Sequence, residues 1–95
     1  MTTRSVTVVN QLGLHARAAA RFVHLATRFE SHIRVGRNAR VMDGKSIMGI
    51  LLLAAARGTT LTISAEGPDE GAAVAALAQL VESGFGEEGS AGARE

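Results

Sequence analysis

The chain has no cysteine, no tryptophan and no tyrosine, and only one proline among its 95 residues. Without cysteine there is no disulfide framework, no thiolate metal site and no thiol nucleophile, so covalent chemistry must rest on another side chain. The three phenylalanines are the only aromatic residues, and Phe22 and Phe29 fall at core-like positions, which leaves no stacking platform for single-stranded nucleic acid. The longest apolar stretch, residues 47–56, is far short of the roughly 20 residues that cross a bilayer. The opening residues Met1-Thr2-Thr3-Arg4-Ser5 contain no apolar h-region of an export signal. No membrane insertion and a cytoplasmic location are therefore expected.

What is present suits one small domain: hydrophobic residues make up 46% of the chain and charged residues 20%, enough to close a single core. Charge is unevenly spread. Residues 1–45 carry eight Lys or Arg against Glu30 and Asp43, whereas residues 46–95 carry Arg57 and Arg94 against seven acids. The first half should attract anions or an acidic protein surface, or be no more than a solvated basic face.

Period-two alternation around Val6 and Val8 predicts a first strand, ending at Asn10-Gln11-Leu12-Gly13. From Ala16 the period becomes helical, with Ala19, Phe22, Val23 and Ala26 on one face and Arg17, Arg21, His24 and Arg28 on the other. Residues 32–36 and 40–43 read as a hairpin about Arg37-Asn38. Residues 47–56 read as a helix capped by Ser46, and residues 59–66 as a strand. Gly67-Pro68-Asp69-Glu70 opens a last helix carrying Val74, Leu77 and Val81 on one face, with Gly84 at its end. The expected fold is an α+β open-faced sandwich of order βαββαβα, a four-stranded antiparallel sheet with three helices on one face. The domain is expected over residues 1–85. Residues 86–95, rich in Gly, Ser, Ala and Glu, read as a flexible C-terminal tail.

The first helix begins against local preference. Ser, Thr, Asp or Asn normally caps a helix, but this one opens Gly13-Leu14-His15-Ala16-Arg17, with two basic side chains at the positive end of the dipole. An arriving anion would make sense of it: the backbone amides of Ala16, Arg17 and Ala18 point at such a ligand and the Arg17 guanidinium can fork onto its oxygens. The dipole also works against protonation of the ring, and only the neutral ring is a nucleophile. On spacing alone His15 is either this site or a tolerated surface cap. His24 and His32 have no comparable setting.

Gly13-Leu14-His15-Ala16-Arg17, followed by Ala19-Ala20 and Phe22-Val23, resembles the phosphohistidine motif of the HPr family. Gly44-Lys45-Ser46-Ile47-Met48-Gly49 resembles that family's regulatory-serine signature, and residues 59–67 resemble its final strand. The ending Glu82-Ser83-Gly84-Phe85 is similar to the nitrogen-related branch of the family, NPr. The resemblance implies an HPr-like fold and a carrier in the phosphoenolpyruvate-dependent phosphotransferase system. Such a carrier is transiently phosphorylated; it is no turnover enzyme and has no cofactor or metal of its own. His15 would accept a phosphoryl group on Nδ1 from phosphorylated enzyme I and pass it to an enzyme IIA domain, with Arg17 and the helix amides stabilising the charge in transit. Residue 18, usually proline in the family, is Ala18 here, which is expected to alter phosphohistidine lifetime while leaving the carrier role intact.

Ser46 by spacing is an N-cap; the resemblance adds phosphorylation by an HPr kinase/phosphorylase. Gly44-Lys45-Ser46 is not the end of a P-loop, because Ala39 stands where that motif needs glycine. The segment from Ile47 to Leu53 is too apolar for a helix that buries one face. It is either all core, or it leaves Ile47, Met48 and Leu51 exposed beside Arg17 and Arg21 as a docking patch for successive partners. A monomer is expected. The rival from another class is a regulatory or small-molecule-binding βαββαβ module that carries no phosphoryl group.

Overall fold

The computed structural model describes residues 1–87; residues 88–95, most of the expected tail, lie outside the described residues. Four strands, β1 (Thr2–Thr7), β2 (His32–Arg37), β3 (Arg40–Asp43) and β4 (Thr60–Glu66), alternate with α1 (Ala16–Ala26), α2 (Ile47–Leu52) and α3 (Glu70–Glu82) in the order βαββαβα. The strands form one antiparallel sheet of order β1-β4-β2-β3. Its register stacks apolar residues across neighbouring strands, Val6 opposite Leu61, Val35 opposite Ile63 and Ile33 opposite Ala65, and all six are buried. The residues between them, including Ser5, Thr7, His32, Arg34, Thr60 and Thr62, are exposed. One face of the sheet is therefore covered and the other open, as period-two patterning requires.

The covering layer follows the helical periodicity. Ala18, Ala19, Phe22, Val23 and Ala26 of α1 and Ala73, Val74, Leu77, Ala78 and Val81 of α3 are the buried stripes. Small alanines at these contacts let the helices lie close, and Phe22 is buried in the same core. After α3 the chain makes a 3₁₀ turn, Gly84–Gly86, whose Phe85 is buried in the same core.

The second helix is shorter than expected. Residues 47–56 read as one helical run, but α2 stops at Leu52 and Ala54 takes a left-handed φ of 51°. The cause lies in the hairpin. Arg37 donates to the Leu53 carbonyl at 2.8 Å and Arg40 to the Leu52 carbonyl at 2.8 Å, satisfying the orphan acceptors of the helix end from outside. The Ala55 carbonyl then accepts from the Leu14 amide at 2.9 Å, and further turns of helix would break that tether.

The opening of α3 is locked by carboxylates. Asp69 accepts from the Glu30 amide at 2.9 Å and the Ser31 amide at 3.0 Å, and from the Ser31 hydroxyl. Glu70 accepts from the Thr2 hydroxyl at 2.6 Å and the Gly67 amide at 3.2 Å. The Ser31 hydroxyl holds Asp69, and the Thr2 hydroxyl holds Glu70, below the ordinary carboxylate range. Such groups stabilise the fold fully above their unfolded pKa, about 4, and lose that contribution as pH falls through the lower folded value. The urea midpoint should accordingly stay level down to about pH 5 and decline below about pH 4, less steeply in Asp69→Asn. A midpoint unchanged at about pH 3 would refute this account.

Candidate functional site

The turn between β1 and α1 is built around a glycine that tolerates no replacement. Gly13 has φ +68°, and a Cβ there would lie 2.5 Å from the Ala55 carbonyl oxygen. Around it the buried Asn10 closes the loop: its side-chain amide donates to the Gly13 carbonyl at 2.8 Å, while its backbone carbonyl accepts from the Gly13 amide at 3.2 Å. The loop is thus fixed from both sides before α1 begins, and that fixes the direction in which the next side chain leaves.

That side chain is His15. It occupies the N-cap position in extended conformation (φ −76°, ψ 178°), and its Nδ1 accepts from the Arg17 amide at 3.2 Å. The imidazole thus performs the capping task usually given to Ser or Asp. Because Nδ1 accepts a hydrogen bond, the neutral ring carries its proton on Nε2. Nε2 meets the Glu87 carboxylate. The ring is not buried: 28% of the His15 side chain is exposed, against 17% for Glu87. A protonated ring forms an ion pair with Glu87; a neutral one forms a hydrogen bond.

Arg17, the second residue of α1, is exposed, whereas the Ala18 side chain is wholly buried beneath the site. Ala16, Arg17 and Ala18 form the first turn of α1, and the Arg17 amide is engaged by the ring. Arg21, one turn further, donates to the Phe85 carbonyl and so ties the 3₁₀ turn to α1. Burial alone would raise the Glu87 carboxyl, but hydrogen bonds from Asn10 (3.0 Å) and His15, with the charges of His15 and Arg21, hold it below its ordinary value.

Ser46 stands on another element. Its Oγ accepts from the Gly49 amide at 3.0 Å, the N-cap bond of α2. Of the apolar residues on that helix Ile50 is buried, Leu51 is half-buried, and Ile47 and Met48 are exposed, Met48 by 66%. This departs from an all-core reading of the segment. α2 packs on α1, and the Leu14 to Ala55 hydrogen bond brings the loop before His15 to the exit of α2.

Three participants were not singled out in the sequence: Asn10, Leu12 and Glu87. Leu12, beside the Gly13 turn, is 72% exposed, a large apolar side chain left in solvent on the loop that leads to His15. Asn10 reads as turn punctuation until its burial is known. Glu87 lies in a Gly- and Glu-rich stretch that reads as tail, so the boundary expected at residue 85 leaves outside the domain two residues, Gly86 and Glu87, that continue the packed turn. Among the described residues no group of three or more His, Cys, Asp or Glu could hold a metal ion, and no helix is long and apolar enough to cross a membrane.

A family model described as "PTS HPr component phosphorylation site" matches residues 2–83, a span that includes the histidine-capped start of α1. The chain belongs to the HPr family of phosphotransferase-system phosphocarriers. It is 48% identical over 87 residues to the phosphocarrier protein HPr of Cupriavidus necator, covering 92% of this chain and 98% of that one. HPr of Pseudomonas aeruginosa is 48% identical over 88 residues, covering 92% and 98%. A crystal structure of HPr from Thermoanaerobacter tengcongensis superposes with a TM-score of 0.89 at 45% identity, covering 93% of this chain and 99% of that one. The element order βαββαβα and the α+β open-faced architecture expected from the sequence are thus those of HPr structures.

Proposed function

We propose that His15 takes a phosphoryl group on Nδ1 from phosphorylated enzyme I and delivers it to an enzyme IIA domain. The observation that carries this reading is the orientation of the ring: Nδ1, the unprotonated nitrogen, faces the amide of Arg17 at 3.2 Å at the positive end of α1. In-line attack by the Nδ1 lone pair forms the new N–P bond as the donor's bond to phosphorus breaks. The Arg17 amide then exchanges its nitrogen acceptor for a phosphoryl oxygen, so the hydrogen bond is conserved through the reaction. The exposed Arg17 guanidinium supplies a second, mobile source of positive charge for the equatorial oxygens.

The docking surface combines Ile47, Met48 and Leu51 of α2 with Leu12 and with Arg21, an apolar patch with a basic neighbour that suits short-lived contact with successive partners. The carrier works as a cytoplasmic monomer. Incubation of the wild type with phosphoenolpyruvate and enzyme I, then peptide mapping at neutral pH, should find one acid-labile phosphoryl group on the peptide containing His15. Absence of any adduct, with enzyme I shown to be active, would refute the proposal.

Ser46 adds a control point on this reading. A phosphate there sits at a helix N-terminus, which accommodates it, but places negative charge beside the patch that partners use. Ser46→Asp should therefore accept phosphate from enzyme I at least about tenfold more slowly than wild type, the rate equivalent of ~1.4 kcal/mol, with the fold retained. Equal rates would leave Ser46 as a cap and nothing more.

A further inference from the structure

The segment matched by the family model ends at residue 83, yet the His15 ring is completed by a residue beyond it. Glu87 presents its two carboxylate oxygens to two different donors. Oε1 accepts from the Asn10 side-chain amide at 3.0 Å, and Oε2 meets Nε2 of His15. The support behind it is rigid. Asn10 is fully buried and also holds the Gly13 carbonyl. Phe85, two residues earlier, is buried in the core, and its carbonyl is held by Arg21. The carboxylate is kept ionised by the donors around it. Such a network has one arrangement in which every donor is used, and that arrangement puts the ring proton on Nε2.

We propose that Glu87 is a positioning residue of the phosphoryl-transfer site, holding the His15 proton on Nε2 and pairing with the cationic ring that forms when Nδ1 is phosphorylated. The inference rests on the reading of His15 as the phosphoryl acceptor. When the Nδ1 lone pair forms the N–P bond, the donor leaves with the electron pair of the bond that breaks, and the Nε2 proton stays where it is. The ring then bears a positive charge directly facing the carboxylate. Release gains as well. With Nε2 protonated, cleavage of the N–P bond expels neutral imidazole; without that proton it would expel the far poorer leaving group imidazolate. The carboxylate on Nε2 and the Arg17 amide on Nδ1 thus favour the same attacking nitrogen, and the carboxylate keeps the phosphoryl group transferable. Arg21 on α1 adds its positive charge to the surroundings of Glu87, while its own hydrogen bond goes to the Phe85 carbonyl.

The test compares wild type, Glu87→Gln, Glu87→Asp and Glu87→Ala in two measurements. Ring ¹⁵N shifts of the unphosphorylated proteins report the tautomer with no phosphoryl donor present. The proton is expected on Nε2 in wild type and in Glu87→Gln, which keeps an acceptor, whereas Glu87→Ala, left with the Arg17 amide alone, should show a measurable fraction on Nδ1. The proteins are then phosphorylated chemically with phosphoramidate and the decay of the phosphohistidine is followed. Both Glu87→Gln and Glu87→Ala should lengthen the half-life about tenfold, the rate equivalent of one hydrogen bond to a charged group, with Glu87→Asp partly restoring the wild-type value. A wild-type ring protonated on Nδ1, an unchanged tautomer in Glu87→Ala, loading on Nε2, or half-lives within about twofold of wild type in both Gln and Ala variants would overturn the proposal. Chemical loading of His15 without enzymatic loading by enzyme I would instead count against the phosphocarrier reading alone.

Discussion

His15→Ala is expected to fold and to accept no phosphoryl group. Alanine removes the Nδ1 acceptor of the Arg17 amide, a cap loss of about 0.5–1 kcal/mol, small against the ~5–15 kcal/mol of a typical domain. The chemistry is lost entirely, because nothing replaces the nucleophile. His24 is exposed on α1 and His32 on the open face of the sheet, and neither caps a helix start. Intact-mass measurement after exposure to phosphoenolpyruvate and enzyme I should show one phosphoryl group on wild type and none on the variant, while thermal melts differ by only a few degrees. An acid-labile adduct on His15→Ala would move the site to one of the other two imidazoles.

Phe85→Ala should be the most damaging single change to stability. Phe85 is 1% exposed but sits at φ +60°, a backbone conformation that costs a side-chain-bearing residue ~1–2 kcal/mol. Truncating a buried phenylalanine costs about 3–5 kcal/mol, so burial outweighs the strain, which explains why an aromatic residue is retained where glycine would be conformationally easier. Phe85→Ala keeps the unfavourable φ and loses the burial; for a domain of this length that corresponds to a fall in melting temperature of at least about 12 °C. Phe85→Gly loses the same burial but removes the strain, and should be the more stable of the two by ~1 kcal/mol. If alanine equals or exceeds glycine, the left-handed conformation carries no cost. Either variant also frees the turn that presents Glu87, so phosphohistidine lifetime should change along with stability.

The amphipathic stripes of α1 and α3 and the alternation of β1 and β4 are local periodicities, and each becomes an element close to where the spacing puts it. His15 and Arg17 are visible because they violate a local rule, and a violated cap is itself a signal. What the chain conceals is set by distant partners. The early end of α2 depends on Arg37 and Arg40, which reach across from the hairpin to its last carbonyls. Glu87 is concealed for a different reason. Its neighbours in sequence are those of a solvated segment, and only the burial of Phe85 and Asn10 converts that segment into part of the site.

The strand order β1-β4-β2-β3 also bears on how the molecule comes into being. Its central pairing partner, Thr60–Glu66, is made last among the described strands, so Thr2–Thr7 waits for a neighbour until the chain as far as Glu66 has been made. Only the His32–Asp43 hairpin pairs with its immediate successor. High contact order of this kind slows folding, because loop-closure entropy is spent before the long-range contacts reward it. The surroundings of His15 are therefore completed late: Thr60–Glu66 must join the sheet before the segment that follows it can pack and bring Glu87 to an imidazole made long before it.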